Sequence, residues 1–405
     1  MRRSSSILAA LSLSLATGTM AWMGTAAAQD TIKLGAPLAL TGNLADAGIK
    51  TKQGYEACVT AVNAKGGVDV GARKMKLELV EYDYQSDTNR ALQLIQRLIT
   101  VDKVPFLLAP YGSGDTKAAA VVAERYGIPM VASAAATPTV FDQNINNLFG
   151  ILFPNKMITD AEAAYFKKNV PDAKRVAVLA LNSLFPKALA AELVASVKAQ
   201  GMEVVSDGLY SPNTTDFANV LSQIKTTNPD WIYVTGYTQD LILITRQMAD
   251  LGVTAKIVSM TAGPAFPEFN DNVKGLSQNL TTNSWWHQNA DYKDAYLFGS
   301  SLAYNKVFED KYKREATYLE ASATAACQVL AMAIESAKSI EPDKVRAELK
   351  SRQFDTFYGP IKFSKVGQNE FNAALVMQTQ KGKLVVLAPD NLSQGKLAVG
   401  VPLKN

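Results

Sequence analysis

One histidine and two cysteines in 405 residues leave little material for metal or nucleophile chemistry. His287 stands alone, and Cys58 and Cys327 lack the spacing of a zinc site. A Ser-His or Cys-His nucleophile therefore lacks its parts, and no G-x-S-x-G elbow is present. Also missing are the G-x-x-x-x-G-K-[ST] phosphate loop and the G-x-G-x-x-G fingerprint, so no nucleotide or other cofactor is expected and no enzyme is implied. Charge of one sign is scarce as well. The formal balance is +4, and loss of Arg2 and Arg3 with an N-terminal segment would leave +2 (4 − 2), too little to draw the chain to nucleic acid or anionic lipid. After residue 30, charges, glycines and prolines interrupt every apolar run, which excludes a spanning helix there.

What is present begins with a basic start at Arg2 and Arg3, an apolar stretch, and the small residues Ala26-Ala27-Ala28. This order predicts a secretory signal, residues 1–28, cleaved after Ala28. Ser12, Ser14, Thr17 and Thr19 break its apolar run below the ~20 residues of a membrane span. No cysteine lies near the cut to carry a lipid, so the exported chain is expected to be untethered. Roughly 375 residues remain, more than one core ordinarily supports, and length alone predicts two domains. Cys58 and Cys327 both fall in alanine-rich, helix-like segments. An oxidising compartment permits a bridge between them, while two buried thiols is the other reading.

From residue 31 short β-rich runs alternate with helical segments, the pattern of parallel sheets covered by helices on both faces. Strands are predicted at Ile32–Ala36, Met75–Asp83, Pro105–Ala109, Pro129–Ala132, Arg175–Ala180, Glu203–Ser206, Trp231–Thr235 and Lys256–Met260. Ser86 or Asp87 is placed to cap a helix whose apolar face is Ala91, Leu92, Ile95, Leu98 and Ile99. Gly127, Gly201 and Gly252 sit where helices end, the first of them closing a helix at Lys117–Tyr126. The rhythm restarts near Leu148–Phe153 and again near Gln278–Asn283. Ile361–Leu387 reads as strands without helices, and Thr317–Lys338 as a helix returning to the first half.

The runs PLALTGNLADAGIKTKQGYEACVTAVNAKGGV, ELVEYDYQSD, YGSGDTKAAAVVAERYGIPMVASAAATP and TTDFANVLSQIKTTNPDWIYVTGY are together similar, in order and spacing, to the leucine/isoleucine/valine-binding branch of type I periplasmic binding proteins. The resemblance covers essentially residues 31 to 390. It implies an α/β fold of two Rossmann-like lobes joined by three hinge crossings near Phe149–Phe153, Leu280–Asn283 and Tyr358–Ile361. The implied division is 29–150 with 283–359 for the first lobe, and 151–282 with 360–405 for the second. It further implies a monomeric periplasmic protein that captures an amino acid or related small carboxylate for the permease subunits of an ABC importer. ATP would be hydrolysed by another subunit. A soluble ligand sensor of the same fold is the alternative role.

Two turns carry the expected ligand contacts. Tyr111-Gly112-Ser113-Gly114-Asp115-Thr116 lies between a strand and a helix, where free backbone N–H groups suit an anion. Ser133-Ala134-Ala135-Ala136-Thr137-Pro138 also follows a strand, and its small side chains leave room. Gly112, Ser113, Ala135, Ala136 and Thr137 are thus the candidate grip for a carboxylate, and the resemblance assigns Ser113, Ala135 and Thr137 to it. The resemblance also places Tyr237 on the ligand's amine or flank, and Phe185 where relatives carry a tyrosine followed by glycine; here Pro186 follows. After the strand ending near Met260 relatives often supply an acid for the ligand ammonium, but this chain reads Thr261-Ala262-Gly263-Pro264. An unpaired buried ammonium is costly. Glu268, Asp240 or another acid must then substitute, or the ligand is an aromatic or aliphatic acid without an amine. Ala47 stands where relatives often place an aromatic, so either the pocket is larger there or one tryptophan of the Trp285-Trp286 pair, with Trp286 as the candidate, reaches in rather than packing at the rim. His287 is expected at the surface or rim.

Overall fold

The computed structural model describes residues 31–371 and 374–403, so the expected export signal lies outside the described residues. In chain order the first half comprises β1 (Thr31–Leu38), α1 (Ala45–Ala64), β2 (Val68–Asp69), β3 (Lys74–Asp83), α2 (Thr88–Thr100), β4 (Phe106–Leu108), α3 (Ser113–Arg125), β5 (Met130–Ala132) and β6 (Leu148–Gly150). These strands form one sheet in the order β2-β3-β1-β4-β5-β6, parallel except for the β2 edge. After α4 (Asn155–Asn169) come β7 (Arg175–Leu181), α5 (Leu184–Ala199), β8 (Glu203–Tyr210), α6 (Ala218–Thr226), β9 (Trp231–Thr235), α7 (Thr238–Leu251), β10 (Ile257–Thr261), α8 (Pro267–Val273) and β11 (Thr281–Ser284). The short hairpin of β12 (Lys293–Asp294) and β13 (Gly299–Ser300) then precedes α9 (Ser301–Tyr312), α10 (Tyr318–Ala337) and α11 (Pro342–Ser351). The chain ends with the β14 (Gln353–Thr356) and β15 (Gly359–Lys362) hairpin, then β16 (Leu375–Gln380) and β17 (Lys383–Ala388). The second sheet runs β17-β16-β11-β10-β9-β7-β8, with the β11-β16 and β16-β17 pairings antiparallel and the others parallel.

The local causes are those that the sequence displays. Asp87 caps α2 by accepting from the Arg90 amide at 2.8 Å. Gly252 ends α7 in the left-handed region at φ 63°, which its missing Cβ allows. α3 starts four residues ahead of the expected Lys117, because Gly112 at φ 88° turns the chain directly into the helix. That shift puts Ser113 at the first helical position. The wide apolar stripe of α10 packs on α1, and a Cβ on Gly54 would come within 2.4 Å of the Glu320 carbonyl oxygen, so only glycine lets these helices approach. A disulfide joins Cys58 on α1 to Cys327 on α10, resolving the pairing that the sequence leaves open. The Gly150 amide donates to the Gly367 carbonyl at 2.8 Å, which lays a late segment beside β6 where the chain leaves the first sheet.

Candidate functional site

In a parallel βα sheet the loops that can hold ligand follow the carboxyl ends of the strands. Here those loops come from both sheets and face one another around a cavity of about 690 Å³. Asn43, Leu44, Ser86 and Thr88, with Tyr111 to Asp115 of the α3 turn, form one wall; Leu181, Ser183, Tyr237, Gln239 and Asp240 form part of the other. The Gln239 amide donates across the divide to Asp46 at 2.9 Å.

The two predicted turns meet at Ser113, between the cavity-lining Gly112 and Gly114. Ser113, Ala135, Ala136 and Thr137 are all buried. The Ala136 and Thr137 amides both donate to Ser113 Oγ, at 3.3 and 3.4 Å. These are long for N–H···O bonds, so the hydroxyl is a loose acceptor that an anionic oxygen would outcompete. Asn155 donates to Thr137 Oγ1 at 3.3 Å, and the Ala136 carbonyl is held by Gln368 at 3.1 Å. The turn is therefore fixed from behind while its amides point at Ser113. Gly112 lies open enough that a Cβ there would first meet the Tyr237 hydroxyl, at 3.7 Å.

Two tyrosine rings line the same cavity. Tyr237 is the residue preceding α7, and its ring meets Tyr111 edge-on at 6.1 Å. Burial pushes the Tyr237 phenol up to about 12, with Ser183 opposing the shift. Burial likewise lifts Tyr111 well above its ordinary value, with Tyr318, Tyr237 and Tyr84 nearby. Both rings stay neutral and able to donate at neutral pH. Phe185 packs 6.2 Å from Trp285, which in turn lies 5.1 Å from Tyr318. Trp286, beyond the bend at Trp285 that follows β11, turns the other way. Its indole donates to the Phe357 carbonyl, it packs against Tyr304, and it edges a separate cavity of about 620 Å³. Trp285, not Trp286, thus packs with the Phe185 and Tyr318 rings. His287 also differs from its expected rim position: it is only 9% exposed, and burial lowers its imidazole to about 4.

Thr261 ends β10 and is taken up by structure, bonded to the Tyr233 hydroxyl at 2.7 Å and the Asn283 amide at 3.1 Å. The acids considered as substitutes have separate fates. Asp240 accepts from the Tyr237 amide and the Tyr210 hydroxyl, both at 3.4 Å, in the α7 cap. Glu268 pairs with the buried Lys50 of α1 at 2.5 Å, with Phe266 under the ammonium at 5.7 Å. Lys50 had a sequence signal, since it shares the buried face of α1 with Ala47, Gly54, Cys58 and Val62. Asp115 was passed over within the α3 turn. It is 9% exposed, lines the larger cavity and accepts from Thr88 Oγ1 at 2.5 Å.

Two helix-flanked sheets whose carboxyl-end loops converge on a tyrosine-lined cleft define a solute-binding protein of the type I periplasmic fold. The chain belongs to the periplasmic binding protein family, whose model matches residues 31–383. It is 26% identical over 412 residues to Leu/Ile/Val-binding protein homolog 8 of Brucella suis biovar 1 (strain 1330), covering 98% of this chain and 99% of that relative. Among solved structures, the leucine-binding protein LivK of Thermotoga maritima MSB8 superposes with a TM-score of 0.80 at 26% identity, over 89% of this chain and 100% of that one. The branched-chain amino acid binding protein LivJ of Streptococcus pneumoniae, solved with isoleucine, gives 0.78 at 25% identity with the same coverage. The family and fold are those of substrate-binding proteins, and among the described residues no helix is long and apolar enough to cross a membrane.

Proposed function

We propose that this chain is the periplasmic solute-binding component of an ABC importer, holding an amino acid or related small carboxylate between lobes 29–150 with 283–359 and 151–282 with 360–405. Residues 1–28 act as the cleaved export signal, the protein works as a monomer without catalysis, and the closed form docks on membrane permease subunits. The observation that carries the reading is the meeting of the Ala136 and Thr137 amides on Ser113 Oγ. Two donors held by one loose neutral acceptor suit a carboxylate, and the Ser113 O–H remains to donate a third bond. Gly112, Ala135, Phe185 and Tyr237 are the further contacts of this reading. The relatives' names, which specify leucine, isoleucine and valine, support the ligand class.

A thermal-shift screen of amino acids, aromatic acids and short-chain acids tests this directly. A ligand that binds only the folded form stabilises it by about 2.7 kcal/mol at a hundredfold excess over Kd. At least one carboxylate is expected to raise Tm by several degrees. Failure of every carboxylate at millimolar concentration, with neutral solutes stabilising instead, would end the proposal.

A further inference from the structure

The cavity of about 620 Å³ that Trp286 edges shares no lining residue with the one between the strand-end loops. It lies where the loop after β10 and the β16-β17 hairpin face residues 286–289 and the chain leading into α10. Part of its wall is apolar. Pro264, Pro267 and Met377 line it beside Trp286, whose indole N–H is spent on the Phe357 carbonyl at 3.2 Å, so this tryptophan offers only ring surface. The polar part of the wall is unsatisfied. Asn270 donates to the Pro264 and Phe266 carbonyls at 2.9 and 3.0 Å, which fixes its amide, and its buried Oδ1 has no donor among the described residues. The His287 ring accepts from the Asn289 amide at Nδ1, so its proton sits on Nε2 and makes that nitrogen a donor. Burial alone lowers this imidazole, and the ring stays neutral. Gln288 is 6% exposed, and its side-chain amide makes no hydrogen bond among the described residues. Buried polar groups are ordinarily bonded, and three on one cavity call for a shared partner. The charged lining residues, Asp271, Glu315 and Lys383, are all exposed, so the buried part of the wall carries no charge.

We infer that this cavity is a second binding site, for a small neutral polyhydroxyl ring, separate from the carboxylate cleft. A hydroxyl both donates and accepts, as the wall requires: Asn270 Oδ1 takes a hydrogen bond, His287 Nε2 gives one, and the Gln288 amide does either. The apolar C–H face of such a ring packs on Trp286 and the two prolines. An ion fits less well, because a charge brought against these neutral groups loses its water and finds no opposite charge. The volume lies within the range of about 300 to 1,000 Å³ usual for small-molecule sites. The site does not depend on the carboxylate reading, since neither Ser113 nor Thr137 takes part in it.

The test titrates D-glucose, D-galactose and D-mannose calorimetrically into the protein, each beside its uronate and its 2-amino sugar. At least one neutral sugar is expected to bind with a Kd of about 1 mM or tighter, and about tenfold more tightly than either charged counterpart. Gln288→Ala should weaken that binding about fivefold, through the hydrogen bonds lost to a neutral partner. Ser113→Ala should leave it unchanged. Gln288 makes no internal side-chain bond, so its removal spares the fold; Gln288→Met, of similar length, makes the same comparison if the alanine variant does not fold. Failure of all the neutral sugars to bind at about 10 mM would mean that water alone occupies the cavity, and it overturns the inference. So does a uronate or amino sugar that binds as tightly as its neutral parent, or equal affinity in wild type and the Gln288 variant. A loss in Ser113→Ala as large as that in the Gln288 variant would put the sugar in the carboxylate cleft and also overturns it. Failure of every carboxylate in the thermal-shift screen, by contrast, leaves this second site standing.

Discussion

Lys50 and Glu268 form an ion pair whose two members differ sharply in exposure, and that asymmetry makes a quantitative prediction. The Lys50 side chain is 3% exposed and the Glu268 side chain 35%. Glu268→Gln would strand an ammonium in a nearly dry site, with only the Phe266 face 5.7 Å away in compensation. Removing one partner of a buried pair costs about 3 to 5 kcal/mol. Lys50→Met leaves instead a side chain that is about a third exposed, although its Oε2 is buried without a partner, so its loss falls between the exposed range of about 1 kcal/mol and the buried one. Methionine also preserves most of the lysine stem's packing. The double variant, with neither charge, should lie within about 1 kcal/mol of wild type, because a buried pair replaced by neutral groups of similar size is close to neutral.

Urea unfolding followed by tryptophan fluorescence reads the four proteins on one scale. The expected order is wild type, close to the double variant, then Lys50→Met, then Glu268→Gln, with a coupling of about 3 kcal/mol between the two sites. The pair also ties α1, which follows β1 of the first sheet, to α8, which follows β10 of the second. Glu268→Gln should therefore loosen closure and lower apparent ligand affinity as well as stability. Equal small losses for the two single variants, adding without coupling in the double, would refute the burial argument.

Ser113→Ala and Thr137→Ala should each weaken carboxylate binding about tenfold or more by calorimetry, since bonds to a charged group contribute about 1.5 to 3 kcal/mol. Glu162 is fully buried against Asn283, whose amide donates at 3.1 Å, and burial pushes its carboxyl from 4.5 up to about 7. An acid whose folded value is raised binds a proton in the folded state that it has lost in the unfolded state. Stability therefore falls as pH climbs from about 4.5 to about 7, by on the order of 3 kcal/mol, and levels off above that. Glu162→Gln should match wild type in Tm near pH 4.5 and exceed it at pH 8; an equal gap at both values would contradict the assignment. Replacing Cys58 and Cys327 by alanine should cost about 3 kcal/mol in unfolding experiments while changing ligand affinity less than twofold, because the bridge ties two helices of the first half and does not line the cavity.

Much of the fold is local and could be read directly. All eight expected strands appear, including the adjacent Arg175–Leu181 and Trp231–Thr235 of the second sheet, because β-rich runs bounded by turn residues have one low-energy solution in a parallel layer. Asp87 and Gly252 mark helix ends through contacts within a few residues, so their roles need no tertiary knowledge. The early start of α3 was hidden, since Gly112 encodes only permission for a positive φ and the direction of the turn is set by what packs on it.

The site was legible only where it is built from one strand-end loop at a time. Ser113 and Thr137 each sit on such a loop, and the sheet order β1-β4-β5 brings the two loops side by side. Charges behave differently, because whether an acid is free depends on partners far away in the chain. Glu268 looks available until α1 delivers Lys50 to it, and Asp240 looks available until the α7 cap and Tyr210 claim it. Asp115 looks like a routine first-turn acid, favourable at any helix N-terminus, and only the fold shows that it lines a cavity with no lysine or arginine among the described lining residues. Periodicity assigns a face to each of these side chains, yet it says nothing of what the opposite sheet places against that face. Specificity in a cleft between two sheets is therefore written mainly in pairings that no local pattern contains.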